Sequence, residues 1–336
     1  MPRLVRGIHS WTANCRGMDR PDKPGDDGPR EEAVSDYKFI TYEVADKLAT
    51  ITFNRPERRN AINWPMSAEI SAALKRAEID PAVTVIILKG AGSCFSSGYD
   101  MGPTMGTPPQ QVGTLTAETE TGEETVSVWD NRARVQGHIE YMLEIWNNWK
   151  PIVAQVHGEC LGGASALALA CDLVIAGEDA RIGHPGVRAL APGEETAIFA
   201  WHVGIKKAKE MVLTGDALTA QEMLDYGMAN YVFPLDRLEH ETRTIARRIA
   251  NVDTQLLSLS KRMINRVFDQ AGFTSSMQSS GEFVTLSGRL PSNQQFKKIT
   301  REKGLREALK WRDEPFGGPL GRYPALDQGN NTDKKK

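Results

Sequence analysis

The segment KPIVAQVHGECLGGASALALACD, Lys150 to Asp172, runs an apolar strand into paired glycines and straight on into a helix of small residues. A strand that turns this sharply into a helix leaves the first backbone N–H groups of that helix without intrahelical partners. They sit in the positive potential of the helix N-terminus, so the junction is suited to hold a developing oxyanion. The design occurs twice: the strand-like VTVIILKG, Val83 to Gly90, feeds the turn AGSCFSSGYD, Ala91 to Asp100. Two such junctions can each donate one N–H to a single carbonyl oxygen.

The rest of the chain alternates strand-like and helix-like text, which predicts an α/β fold built of βαβ units with parallel pairing. Tyr37 to Asn54 reads as a hairpin broken at ADK, Ala45 to Lys47, and Val83 to Lys89 as a buried strand. Ser67 to Ile79 and Trp129 to Trp149 carry helical apolar spacing. After Ala217 the text becomes largely helical, with segments at Leu238 to Ala250, Leu256 to Phe268 and Phe296 to Trp311. Gly102 to Val128 is rich in Thr, Gly, Pro and Glu without apolar periodicity and reads as a long mobile insertion. Residues 1–36 and 317–336 share that loose character and read as disordered extensions. They flank a core over 37–236 and a helical region over 237–316.

Several function classes are excluded early. With 336 residues and 40% hydrophobic content the chain can bury a sizeable core, and a net charge of −2 gives no general attraction to nucleic acid or an anionic membrane. The four cysteines, Cys15, Cys94, Cys160 and Cys171, have no C-x-x-C spacing, which points to a reduced, cytoplasmic protein. The apolar run from Cys160 to Gly177 contains Asp172 and fits a core helix followed by a buried strand rather than a membrane span. Six histidines without ligand spacing argue against a metal site. A dinucleotide turn fails because Phe95 stands at the third glycine of G-x-G-x-x-G, and a nucleophile elbow around Ser165 fails because Leu167 stands where glycine is needed.

Four ordered segments carry a family resemblance: ITFNRPERRNAIN from Ile51, CFSSGYD from Cys94, the run from Lys150 to Pro185, and KKAKEMVLTGDALTAQEMLDYGMANYVFP from Lys206. In these the chain resembles the crotonase superfamily, the enoyl-CoA hydratase/isomerase group. The resemblance implies a ClpP-like ββα spiral core with a helical C-terminal region, assembled as a homotrimer or homohexamer. It implies an acyl-CoA thioester as substrate, with no separate cofactor and no metal. The thioester oxygen is then held by the backbone N–H groups of Tyr99 and Gly163. Arg59, Asn60, Ala61 and Ile62, with Arg58, lie on the expected CoA path, and Ser97, Gly98, Asp100, Met101, Gly162 and Gly186 line the expected substrate site. Lys310, Arg312 and Phe316 resemble the element that closes the family's site.

The departures narrow the reaction. Hydratases of this family carry two glutamates that position water and move protons; the aligned positions here are Ala166 and Gly186. Neither transfers a proton, and each lost acid–base group costs typically ~10²–10⁴-fold, so hydration of crotonyl-CoA is expected to be weak. Glu194 and Glu195 in PGEET stand where related isomerases and an aryl-CoA dehalogenase keep a functional aspartate, and His184 lies beside the vacant second position with Arg188. Capping of the helix near Thr196 is the competing role for the two glutamates. His138, on the helix before Lys150, is out of register by one residue with the dehalogenase histidine and reads as structural. Carbon–carbon bond lyase or synthase chemistry, thioester hydrolysis and non-catalytic acyl-CoA binding remain alternatives.

Two outcomes follow from sequence. Deleting residues 1–36 is expected to leave the melting temperature unchanged, and a fall of several degrees contradicts this. Ala166→Glu together with Gly186→Glu is expected to raise crotonyl-CoA hydration, provided that the local backbone is family-like.

Overall fold

The computed structural model describes residues 37–102, 105, 117–118, 124–125 and 128–321. The hairpin comes first, β1 (Ile40–Ala45) and β2 (Leu48–Phe53), closed at Asp46 and Lys47 with positive φ. Then come α1 (Trp64–Ile79) and β3 (Val85–Gly90), the short pair β4 (Ala117–Glu118) and β5 (Glu124–Thr125), and α2 (Val128–Asn147). The opening segment of the sequence analysis forms β6 (Ile152–Val156), β7 (Glu159–Leu161) and α3 (Gly163–Ala170), followed by β8 (Leu173–Gly177) and β9 (Arg181–Gly183). The chain continues through α4 (Glu195–Thr214), β10 (Leu218–Thr219), α5 (Ala220–Asp225) and β11 (Tyr231–Phe233). It ends in α6 (Leu235–Ile249), α7 (Thr254–Gln270), α8 (Phe273–Ser287), α9 (Pro291–Lys303) and α10 (Leu305–Asp313).

The main sheet runs β1-β2-β3-β6-β8-β11, antiparallel at the hairpin and parallel thereafter. A second sheet of β7, β9 and β10 stands beside it. Both faces of the main sheet are covered, as parallel strands require. Ile86 and Leu88 of β3 point into the larger core with α1, α2 and α3, while Val85 and Ile87 point into a smaller one. There α6 supplies Leu238 and Ala246, the buried stripe of an otherwise charged helix. One site-forming turn leaves the carboxyl end of β3 and the other follows β6 by way of the short β7, on the side where ligands usually lie in parallel sheets.

Several expectations are corrected. The helix read from Ser67 begins at Trp64, because the Asn63 carboxamide caps it by accepting from the Met66 N–H at 3.0 Å. The single helix read over Phe296–Trp311 is two, broken at Gly304 with φ 88°. The Ser-rich α8 was not anticipated, and the expected break between core and helical region falls at Pro234, where α6 begins. Residues 317–321, read as tail, are tied down: Gly318 and Leu320 accept from Arg188 and from the Ala217 N–H. The reading of 1–36, and most of the 102–128 insertion, lie outside the described residues.

Arg188, noted in sequence beside the vacant glutamate position, is consumed by this tie. Its side chain, 1% exposed, pairs with Asp216 at 3.1 Å and Asp313 at 3.2 Å and stacks on Phe316 at 4.4 Å. It also donates to the carbonyls of Thr214, Gly215 and Gly318. Removing one partner of a buried charge network leaves the rest uncompensated, so Arg188→Met is expected to destabilise the protein by about 3–5 kcal/mol in urea unfolding. An unchanged midpoint contradicts the structural role.

Candidate active site

The two sequence junctions meet. Arg59 to Ile62 lies alongside Ser97 to Asp100 like a short strand pair: Ser97 N–H donates to Arg59 O, Ile62 N–H to Gly98 O and Asp100 N–H to Ile62 O. In that pairing the N–H of Tyr99 points away from Ile62. Ser96 pairs in turn with β7, its N–H donating to Glu159 O and its carbonyl accepting from Leu161 N–H. Gly98 therefore packs on Leu161: a Cβ on it falls 2.6 Å from the Leu161 carbonyl oxygen, and its φ of 96° disfavours other residues. Gly163, the first residue of α3, lies directly beneath the Tyr99 ring, which leaves no room for a Cβ.

Opposite this corner sit the two glutamates of PGEET, 4% and 1% exposed. Glu194 occupies the position before α4 but its side chain makes no cap, which removes the capping role considered in sequence. Both side chains turn inward. Glu195 Oε1 lies 3.7 Å from a Cβ built on Gly162, and Oε2 lies 3.6 Å from His184 Nδ1. Glu194 Oε1 lies 3.5 Å from His138 Nδ1, so the histidine read as structural is in the site. Burial pushes both carboxyls up from 4.5 to about 7, the neighbouring Glu195 adding to the shift of Glu194. Burial likewise holds both histidines below 6.5, with the Arg134 charge adding to it at His138. His184 Nε2 is 3.0 Å from the Ala191 carbonyl, so in the neutral ring Nε2 carries the proton and Nδ1 is free to accept.

Five buried polar atoms here have no hydrogen-bond partner among the described residues: Tyr99 Oη, His138 Nε2, His184 Nδ1, Glu194 Oε1 and Glu195 Oε2. Buried polar atoms are rarely left so, and five in one place make this corner the candidate site. The Tyr99 hydroxyl lies close enough to Glu194 to favour its ionised form, without forming a hydrogen bond of standard geometry.

The other expected site residues divide. Ala166 is buried in α3, and Gly186 is closed off: a Cβ there meets His184 Cε1 at 2.7 Å. A glutamate at Gly186 therefore displaces His184, and the double restoration of the hydratase pair loses its premise. Asn60 spends its carboxamide inside the protein, donating to Ala91 O and Cys94 O and accepting from Arg55 N–H. Ile62 is buried and Ala61 holds Arg55 through its carbonyl, so this segment contributes backbone and shape rather than side-chain polar groups. Arg59 is exposed and pairs with Glu159 at 2.8 Å, Asp100 pairs with Arg55 at 3.1 Å, and Met101 is exposed beside the turn. Arg312 bonds Asp313 within the element that packs on Arg188. Sequence reading missed the Tyr99 side chain and Trp64, whose positions next to His138 no local pattern reveals. Among the described residues no group of three His, Cys, Asp or Glu side chains is placed to hold a metal. No described helix is long and apolar enough to cross a membrane.

A mixed α/β core with a helical C-terminal region and an anion-ready corner over buried acids defines a crotonase fold. The profile of the enoyl-CoA hydratase/isomerase family matches residues 43–305. A crystal structure of an enoyl-CoA hydratase/isomerase from Xanthobacter autotrophicus is similar at 36% identity and TM-score 0.72, over 83% of this chain and 99% of that one. An enoyl-CoA hydratase structure from Mycobacterium smegmatis is similar at 32% identity and TM-score 0.75, over 83% and 94%. EchA13 of Mycobacterium tuberculosis, named for enoyl-CoA hydratase, is 35% identical over 75% of this chain and 81% of its own. The chain belongs to the enoyl-CoA hydratase/isomerase family of enzymes.

The buried acids make stability depend on pH. A carboxyl raised from 4.5 to about 7 stabilises the fold fully below its unfolded value, and that contribution is lost as pH rises through about 7. Glu194→Gln and Glu195→Gln stay neutral, so each is expected to melt about 2 °C or more above the parent near pH ~8, with the gap closing near pH ~5. Equal melting temperatures at the higher pH contradict a buried carboxylate.

Proposed function

We propose that this enzyme turns over an acyl-CoA thioester through an enolate whose oxygen is held by the N–H groups of Tyr99 and Gly163 and whose protons are moved by Glu194 and Glu195. The observation that carries this reading is the pair of adjacent, inward-facing carboxyls, each with an unpartnered oxygen, packed against the glycine corner. Two coupled carboxyls near neutrality share protons, so one serves as base while the other is an acid. A base beside the corner can take the acyl α-hydrogen while the thioester oxygen gains charge against two N–H donors, each worth about 2.7–4 kcal/mol of activation free energy. Returning a proton elsewhere on the acyl chain needs only the second carboxyl. That favours isomerisation over hydration, because Ala166 and Gly186 supply no groups to position and activate water.

The proposal extends to assembly. Leu256, Leu259, Met263 and Val267 recur along one face of α7 and are 56%, 59%, 73% and 63% exposed. An apolar stripe this open suits burial against another copy, in the trimer or hexamer that the family resemblance implies.

Two measurements follow. Glu194→Gln and Glu195→Gln are each expected to lower kcat by about 10²-fold while thioester binding stays within a few-fold. The parent's bell-shaped pH profile, set by both carboxyls, is expected to lose one limb in each variant; full kcat in either one contradicts the two-carboxyl reading. Light scattering is expected to find the parent as a multimer and Met263→Glu with Val267→Glu as a smaller species, whereas a monomeric parent contradicts the assembly.

A further inference from the structure

The two glutamates are neighbours in sequence but not in surroundings. Glu195 faces His184 and the Gly162 corner, so its couple lies beside the thioester carbonyl. Glu194 faces a different group, held by a continuous ring stack. His138 is sandwiched between Trp64, at a centroid distance of 4.6 Å and 22°, and Tyr99, at 3.7 Å and 13°. The Tyr99 ring in turn covers Gly163. This stack fixes the His138 ring edge-on to Glu194 Oε1 and leaves its Nε2 and the Tyr99 hydroxyl buried without partners.

We propose that His138 and the Tyr99 hydroxyl are positioning residues for Glu194, forming with it a proton-holding unit that stands beside the Glu195–His184 couple and is coupled to it. The inference rests on reading Glu194 and Glu195 as the proton-transfer groups. A buried carboxyl that alternates between acid and base needs partners that can both donate to it and accept from it. Neutral imidazole does this by changing tautomer and a phenol does it by rotating its O–H, whereas an arginine or lysine only donates and locks the ionised form. Glu194 is next to one of each amphoteric kind. The charged and titratable groups facing this unit are Arg134, one turn before His138 on α2, Glu195 from the start of α4, and His184, which feels the Glu194 charge as well as that of Arg312. No Lys or Arg forms an ion pair with Glu194 among the described residues.

The arrangement also gives Tyr99 two duties. Its backbone N–H is a candidate donor to the thioester oxygen, and its hydroxyl is near enough to Glu194 to bear on the carboxyl proposed to supply the second proton. Carbonyl activation and the proton state of Glu194 are thereby fixed by one residue.

The test reads the carboxyls directly in the full-length protein and needs no substrate. Infrared difference spectra over a pH titration report each protonated carboxyl, assigned by its loss in Glu194→Gln and in Glu195→Gln. Tyr99→Phe keeps the stack and the backbone N–H; it is expected to raise the Glu194 midpoint by up to about one pH unit, the worth of one hydrogen bond to an ionised carboxylate when the O–H turns to it, and to move Glu195 by less. His138→Phe keeps a ring in the stack and is expected to move Glu194 more than Glu195. If Tyr99→Phe leaves both midpoints unchanged, or shifts both equally, the Tyr99–His138–Glu194 unit does not exist; should His138→Phe fail to fold, the tyrosine variant still decides. Failure of the acyl-CoA reading shows itself differently, as a parent enzyme that converts no thioester while these titrations behave as expected.

Discussion

The close contact between the Gly98 turn and the Leu161–Gly163 corner is the constraint on which the rest of the site depends. Any side chain at Gly98 runs into the Leu161 carbonyl, and any side chain at Gly163 runs into the Tyr99 ring. Because the two backbones touch, Tyr99 and Gly163 come together although the residues come from different βαβ crossovers. The parallel sheet enforces this, since β3 and β6 are neighbours and both release their chains at the same edge. The ring of Tyr99 then passes the contact on to His138 and Trp64, so the position of α2 is coupled to the corner as well.

Around that corner the protein keeps groups it could have neutralised. Two other buried charges are compensated: Arg188 has two carboxylates and three carbonyls, and Lys261 pairs with Asp172 at 2.8 Å while donating to the Lys150 carbonyl. Glu194 and Glu195 receive no such cation. They face histidines that burial keeps neutral, at distances just beyond a hydrogen bond. These ion pairs and this pair of acids thus follow opposite electrostatic rules within one chain.

Much of this was legible in the sequence where one residue type in one local pattern dictates geometry. The hairpin, the buried strands and the strand–glycine–helix corner are of that kind, and so is the absence of acids at Ala166 and Gly186. What the sequence did not carry depends on rotation and on distant contacts. His138 looked out of register by one position, yet the roll of α2, fixed by stacking between Trp64 and Tyr99, brings it onto Glu194. Gly186 looked like an open slot, but the His184 ring fills it. The break at Gly304 was passed over because an isolated glycine is tolerated in a helical pattern, and α8 because its run of serines is a poor helix former that tertiary packing rescues.

The account comes down to whether protons move on and off the acyl chain of a CoA thioester in this site. Incubating the enzyme in heavy water with a panel of acyl-CoA thioesters, followed by mass spectrometry of the products, reads that directly. The expected result is conversion of at least one thioester with solvent deuterium carried into its acyl chain, a product that disappears when Glu194 and Glu195 are both changed to glutamine. Conversion that leaves the acyl hydrogens untouched, or no conversion across the panel, contradicts enolate chemistry by the paired glutamates.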